Sequence, residues 1–322
     1  MSPRKIRFDD KTPALEFDEW IEPGYTKPHN HISRKTEHAS PQADTRLFYQ
    51  SFGSGSSGNC CYVGTAAGGL LVDAGIKADI VEQALAANGI PMSMVKGIVL
   101  THDHTDHVKY VYTLLRTYRH IKLFCTNRVL NGLLRKHNVS KRIKEYHVPI
   151  FKEIPFRMMN LLVTAFEVHH DGSDNMGFSI SYENKNFVLA TDLGEISDRA
   201  RHYMSQANYL VIEANYDARM LREGPYPEYL KARIATANGH MDNAETAAFL
   251  AEIAGNGLEY IFLCHISKDN NTPEKALETV GNELRKKGFS LGSATDTLEE
   301  RNADLQLAAL PRFDPTRWFV FR

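Results

Sequence analysis

GIVLTHDHTDHV, residues 97–108, joins an apolar run to the helical pattern VKYVYTLLRTYRH, residues 108–120. Side chains two apart in an extended segment share a face, so His102 and His104 point together, while Asp106 and His107 fall where the helix begins. Neutral imidazoles and a carboxylate converging on a strand end suit a borderline divalent cation such as zinc, manganese or iron. Three histidines and two aspartates within six residues have no propensity reason to gather in a plain polar turn.

Around this string the chain alternates short apolar runs with helical patterns. LFYQSF, CYVG, GLLVDAG, GIVLTH, KLFCT, LLVTAFEV, GFSISYE, FVLAT, YLVIEAN and YIFLCH have strand length and are rich in Val, Ile, Phe and Tyr. ADIVEQALAANG, VKYVYTLLRTYRH, NRVLNGLLRKH, NAETAAFLAEIAG and TPEKALETVGNELRKKG read as helices. About ten strands with at least five helices predict an α/β layered fold. GFSISYE and FVLAT, parted only by Asn184 to Asn186, point to a hairpin and hence to mixed sheets.

One ion needs more ligands than a local cluster supplies, and later strand ends offer them. LLVTAFEVHHD ends on His169 and His170, FVLATD on Asp192, and YIFLCH on His265. Asp73, closing GLLVD, is either a turn residue before Ala74-Gly75 or a partner that orients a ligand histidine.

Composition sets the frame. The chain has 322 residues, 38 Lys+Arg against 39 Asp+Glu, and a 43% apolar fraction, which exclude whole-chain disorder and allow a large core. No apolar stretch is long enough to span a membrane and the start is charged, so a cytoplasmic protein without membrane contact is expected. Cys60, Cys61, Cys125 and Cys264 form no C-x-x-C pair and read as buried thiols outside the metal site. Residues 1–46 lack periodicity and read as a poorly ordered extension, residues 47–291 as the globular unit, and residues 292–322 as a tail packing on it or extending from it. His29, His31 and His38 are too sparse for a further metal site.

These residues carry a resemblance. H-x-H-x-D-H, a strand-end Asp before it, and a His, an Asp and a final His after it resemble the metallo-β-lactamase fold superfamily. Within it, SFGSGSSGNCCYV, LLVDAGI, THDHTDH, ATDLGEIS, EANYD, GPYPEYLKARI, NGHMDNAE and HISKDNNTPE, between Phe48 and Lys287, resemble the YycJ/WalJ family of metal-dependent DNA exonucleases. The resemblance implies an αββα sandwich of two mixed sheets with two divalent metal ions at one edge. It assigns His102, His104 and His170 to one ion, Asp106, His107 and His265 to the other, and Asp192 to a bridge; Asp171, completing a His-Asp pair, favours His170 over His169. Two ions about 3.5–4 Å apart acidify water and stabilise both oxygens of an in-line displacement. Glu213 and His240 resemble the Glu/His pair of nucleases in this superfamily, and with Asp106 form the implied catalytic set. A histidine beside a carboxylate is held in one tautomer with a raised pKa, which suits proton donation to a leaving alkoxide.

The expected function is therefore a phosphodiesterase acting on nucleic acid, with DNA and the 5′ polarity implied by the resemblance. Residues 109–157 hold 12 Lys/Arg against Glu145 and Glu153, a segment of charge +10 that reads either as a solvated face or as a track for a polyanion. The Gly/Ser loop Gly53 to Asn59 reads as a tight turn whose amides can also meet a phosphate. A thioester or lactam hydrolase on the same fold, and a metal-binding regulatory adaptor, are the alternatives. Only 73 positions separate Asp192 from His265, which leaves no room for a large inserted cap.

Overall fold

The computed structural model describes residues 45–294 and 302–321. Of the N-terminal extension only Thr45 and Arg46 are among them; the expectation that it is poorly ordered lies outside the described residues.

Two sheets stack face to face. The first contains β1 (Leu47–Gly53), β2 (Cys60–Thr65), β3 (Gly68–Val72), β4 (Val95–Val99), β5 (Lys122–Cys125) and β6 (His147–Pro149). The second contains β7 (Phe156–Met158), β8 (Leu161–Glu167), β9 (Met176–Tyr182), β10 (Lys185–Ala190), β11 (Tyr209–Glu213), β12 (Tyr260–Cys264), β13 (Leu291–Gly292) and β14 (Leu305–Ala309). A last strand, β15 (Phe319–Phe321), returns to the first sheet. The strand orders are β15-β1-β2-β3-β4-β5-β6 and β13-β14-β12-β11-β10-β9-β8-β7. Both sheets are mixed: β3 through β6 run parallel while β1 and β2 are antiparallel neighbours, and β10 to β12 run parallel beside an antiparallel meander. All ten apolar runs are strands. The β9–β10 hairpin turns at Glu183-Asn184, one residue earlier than the spacing suggested, because Tyr182 pairs with Lys185.

Period-two alternation divides the core. Phe187, Tyr209, Val211 and Phe262 face the first sheet across the sandwich, whereas Val188, Leu210, Ile212 and Ile261 face helices on the outside. Burial on both faces explains why these strands read as continuous apolar runs.

The helices are α1 (Ala78–Ala86), α2 (Thr105–Val108), α3 (Val111–Thr117), α4 (Asn127–Lys136), α5 (Asp198–Met204), α6 (Ala218–Glu223), α7 (Glu228–Ile234), α8 (Asn243–Ile253) and α9 (Pro273–Lys286). The expected helix after THDHTDH is interrupted at Lys109-Tyr110, so α2 is a single turn and α3 a separate element. Helices α5, α6 and α7 carried no amphipathic signal, being two turns or less. Side-chain caps start the long ones: Asp242 accepts from Ala244 N and Glu245 N before α8, and Thr272 precedes Pro273 at the head of α9. None of the helices among the described residues is long and apolar enough to cross a membrane.

The described parts of the tail, residues 292–294 and 302–321, pack on the sandwich. They supply β14 beside β12 and β15 antiparallel to β1, with Leu47 opposite Phe321. β15 has three residues, and β14, LQLAA, has none of the β-branched and aromatic residues that mark the ten apolar runs.

Candidate metal centre

The site forms where strands of both sheets end on the same edge. Strand β4 delivers Thr101 and the extended pair His102 and His104, and α2 starts at Thr105, placing Asp106 and His107 in its first turn. His170 follows β8, Asp192 follows β10, Glu213 ends β11 and His265 follows β12. Asp73, Asp192 and His265 have φ of 62°, 54° and 52°, left-handed values that cost a non-glycine residue about 1–2 kcal/mol each. The shared turn at three strand ends aims these side chains inward instead of continuing the strand.

Besides Asp192, Glu213, His240 and His265, two groups of ligand atoms match the expected ones, and in each of the three groups the atoms lie within 4.8 Å of one another: His102, His104, His170 and Asp192, and Asp106, His107, Asp192 and His265. All seven residues named as ligands are brought together, and Asp192 belongs to both groups. Its Oδ2 lies 3.3 Å from His102 Nε2 and 3.2 Å from His107 Nε2, and its Oδ1 lies 3.1 Å from His265 Nδ1. His170 is buried in the cluster with Nε2 3.3 Å from His104 Nδ1, whereas His169 turns outward to Glu195 at 2.6 Å.

The donor set fits a cation. The Nε2 atoms of His102 and His265 are buried and make no hydrogen bond among the described residues, an arrangement a ligand ion relieves. Burial first, and the neighbouring His107, push His102 down to about 3, so it stays a neutral imidazole able to donate a lone pair. Burial opposes charge on His107 and His265 as well, but carboxylates prevail: Asp192, Asp73 and Asp106 raise His107, and Asp192, Asp106 and Glu213 lift His265 to about 10. Asp192, although buried, is held well below the usual carboxylate range by His265 and His107. Protons on His107 and His265 thus balance the surrounding carboxylates, a charge that a cation at the same place would supply instead.

Polar groups behind the ligands hold them. Asp73 Oδ2 accepts from His107 Nδ1 at 2.8 Å and its Oδ1 from Thr101 N at 2.8 Å, which gives it the orienting role rather than that of a plain turn residue. Asn59 Nδ2 lies 2.9 Å from His107 Nε2 and 3.2 Å from Asp106 Oδ2, and its backbone N–H donates to Asp106 O. Gly75 passes so near the Asp106 carbonyl that a Cβ would overlap it. Asp103, unassigned from sequence, points opposite to His102 and His104. It accepts Ser173 N at 2.8 Å, Ser173 Oγ at 2.7 Å and the Lys136 ammonium at 3.0 Å. Burial raises its pKa, but these donors lower it further than burial lifts it. Alternation along an extended segment is the signal that could have found it.

Glu213 is fully buried at the foot of the cleft. Its Oε1 lies 2.8 Å from Nδ1 of His240 and of His265, and its Oε2 accepts Leu193 N at 2.9 Å. Burial opposes charge on His240, yet the Glu213 carboxylate raises its pKa above the usual histidine value. With Nδ1 engaged, His240 presents Nε2 to a cleft of about 280 Å³ that is lined also by His104, Asp106, Tyr226, Arg233 and Arg312. None of the 12 basic residues of segment 109–157 lines this cleft. Lys136, Arg142 and Lys152 are paired with acids, and Lys122 stands on β5 near the edge of the first sheet.

An α/β sandwich with a His/Asp cluster at one edge of its paired sheets defines a class, and comparison with known proteins agrees with it. Residues 69–266 match the beta-lactamase superfamily domain. Exodeoxyribonuclease YycJ of Bacillus anthracis is 33% identical over 254 residues, 77% of this chain and 93% of that protein. Exodeoxyribonuclease WalJ of Streptococcus pneumoniae is 32% identical over 245 residues, 76% of this chain and 90% of that one. The metallo-beta-lactamase fold protein YhfI from Bacillus subtilis superposes with a TM-score of 0.60, covering 85% of this chain and 100% of YhfI at 12% identity, which speaks for the fold alone. The chain belongs to the metallo-β-lactamase superfamily and, within it, to the YycJ/WalJ family.

Proposed function

We propose that the protein is a metal-dependent exonuclease that trims DNA from a 5′ end. The observation that carries this reading is the Glu213–His240 pair, 2.8 Å apart, set beside two ligand groups joined through Asp192. The names of the relatives, exodeoxyribonucleases both, support nucleic acid as the substrate class and DNA as the polymer.

In this reading His102, His104, His170 and Asp192 hold one divalent ion, and Asp106, His107, His265 and Asp192 a second; zinc, manganese and iron all suit these donors. Bound cations supply Lewis-acid stabilisation of phosphoryl oxygens and lower the pKa of an attacking water. The chain's own residues do the rest. Asp73 fixes the ring of His107 through Nδ1, and Glu213 fixes His240 with Nδ1–H toward the carboxylate. The imidazolium of His240 holds a proton at Nε2 for the leaving alkoxide, and Glu213 stabilises the charge while that proton is present.

The test incubates 5′- and 3′-labelled single and double strands with manganese or zinc, beside Asp106→Ala and His240→Ala. Nucleotide release from 5′ ends by the unmodified protein, lost in both variants, is expected. Equal release by all three proteins overturns the assignment, and no release by the unmodified protein favours an adaptor.

A further inference from the structure

Asn59 ties the end of the Gly/Ser loop to the metal centre, and the structure sets a cation from the tail against the loop's middle. Arg312 follows β14; its guanidinium donates to the carbonyl of Ile266, the residue after His265, and to Ser56 Oγ at 3.2 Å. Gly55, at φ 145°, leaves the space this side chain uses, since a Cβ there would meet Arg312 Nη1 at 2.9 Å.

The two arginines of the cleft differ in their surroundings. Arg233 is neutralised by Asp171, which accepts its Nε at 3.0 Å. Arg312 makes no ion pair among the described residues, and Asp269, whose field reaches it, is engaged by the Tyr226 hydroxyl at 2.8 Å. Burial lowers its pKa from the usual arginine value without bringing it near neutrality. A guanidinium carries five N–H donors, so contacts to Ser56 and Ile266 leave some free. The backbone N–H groups of Ser56 and Ser57 donate to no protein group among the described residues, and Ser56 lines the cleft. A half-desolvated cation without a counter-ion, beside open amides, matches a phosphate dianion. The cleft, at about 280 Å³, is at the small end of ligand pockets and suits one nucleotide rather than several.

We propose that Arg312, with Ser56 and the loop amides, seats the terminal 5′-phosphate of a strand whose first internal phosphodiester lies at the ligand groups. The proposal rests on the exonuclease reading above and adds to it a rule for choosing ends: phosphorylated 5′ termini are taken and 5′-hydroxyl termini are discriminated against.

The experiment measures binding of the metal-loaded protein by fluorescence anisotropy. The probes are 3′-labelled oligonucleotides, 5′-phosphorylated or 5′-hydroxyl, whose first two linkages carry a non-cleavable methylene in place of the 3′-bridging oxygen. The unmodified protein should bind the phosphorylated strand about tenfold tighter, as expected of a charge-assisted contact. Arg312→Ala should erase that preference, with affinity for the 5′-hydroxyl strand kept within about twofold, and Arg312→Lys should keep part of the preference. Absence of a preference in the unmodified protein, its persistence in Arg312→Ala, or an equal loss of affinity for the 5′-hydroxyl strand overturns the proposal. A preference that depends on Arg312 in a protein that releases no nucleotide upholds the seat and fells the nuclease reading instead.

Discussion

Asp73 Oδ2 and His107 Nδ1 lie 2.8 Å apart, both fully enclosed, so the carboxylate fixes which imidazole nitrogen faces the other ligands. Asp73→Asn keeps the shape but removes the charge. Loss of such an orienting partner costs about 10–100-fold in metal affinity. Competition with a chromophoric chelator should record that loss, with the circular dichroism spectrum unchanged.

His240→Ala should lower kcat on oligonucleotides by about 10²–10⁴, the range of a positioned general acid. Metal content, read by atomic emission, should stay intact. Bis(p-nitrophenyl) phosphate, whose leaving group needs no proton, should suffer far less. Glu213→Gln should reproduce the substrate dependence and also disturb His265, which shares the carboxylate.

Protonation of His265 opposes metal uptake. Its pKa in the metal-free fold is about 10 against an ordinary 6.5, so ions binding at neutral pH must displace a proton there. Metal affinity should rise with pH, and calorimetry in buffers of different ionisation enthalpy should reveal net proton release. The same shift makes a contribution to the stability of the metal-free protein that is complete below pH 6.5 and is lost as pH rises toward about 10. Its melting temperature should fall over that window, and saturating zinc should flatten the dependence.

Phe319 is buried against Tyr49 and Phe262, with ring centroids 5.9 and 4.8 Å away. Phe319→Ala removes an aromatic from between the sheets and should cost about 3–5 kcal/mol in chemical denaturation. An unchanged midpoint would show that β15 is not integral to the sandwich.

The sequence carried the sandwich's ten principal strands because they are buried on both faces and long enough to show it. It pointed to the residues that the structure gathers at one edge because their spacing follows from strand ends. What it did not carry depends on distant packing. Asp103 is informative only once Ser173 and Lys136 are beside it, and Arg312 only once the tail crosses to the Gly/Ser loop. The basic segment stood out in composition, yet the cations that line the cleft are the isolated Arg233 and Arg312.

The left-handed backbone at Asp73, Asp192 and His265 shapes the centre. These residues close strands of both sheets, so the bend that aims their side chains inward belongs to the sandwich itself. Crystals grown with and without zinc should superpose at these three positions.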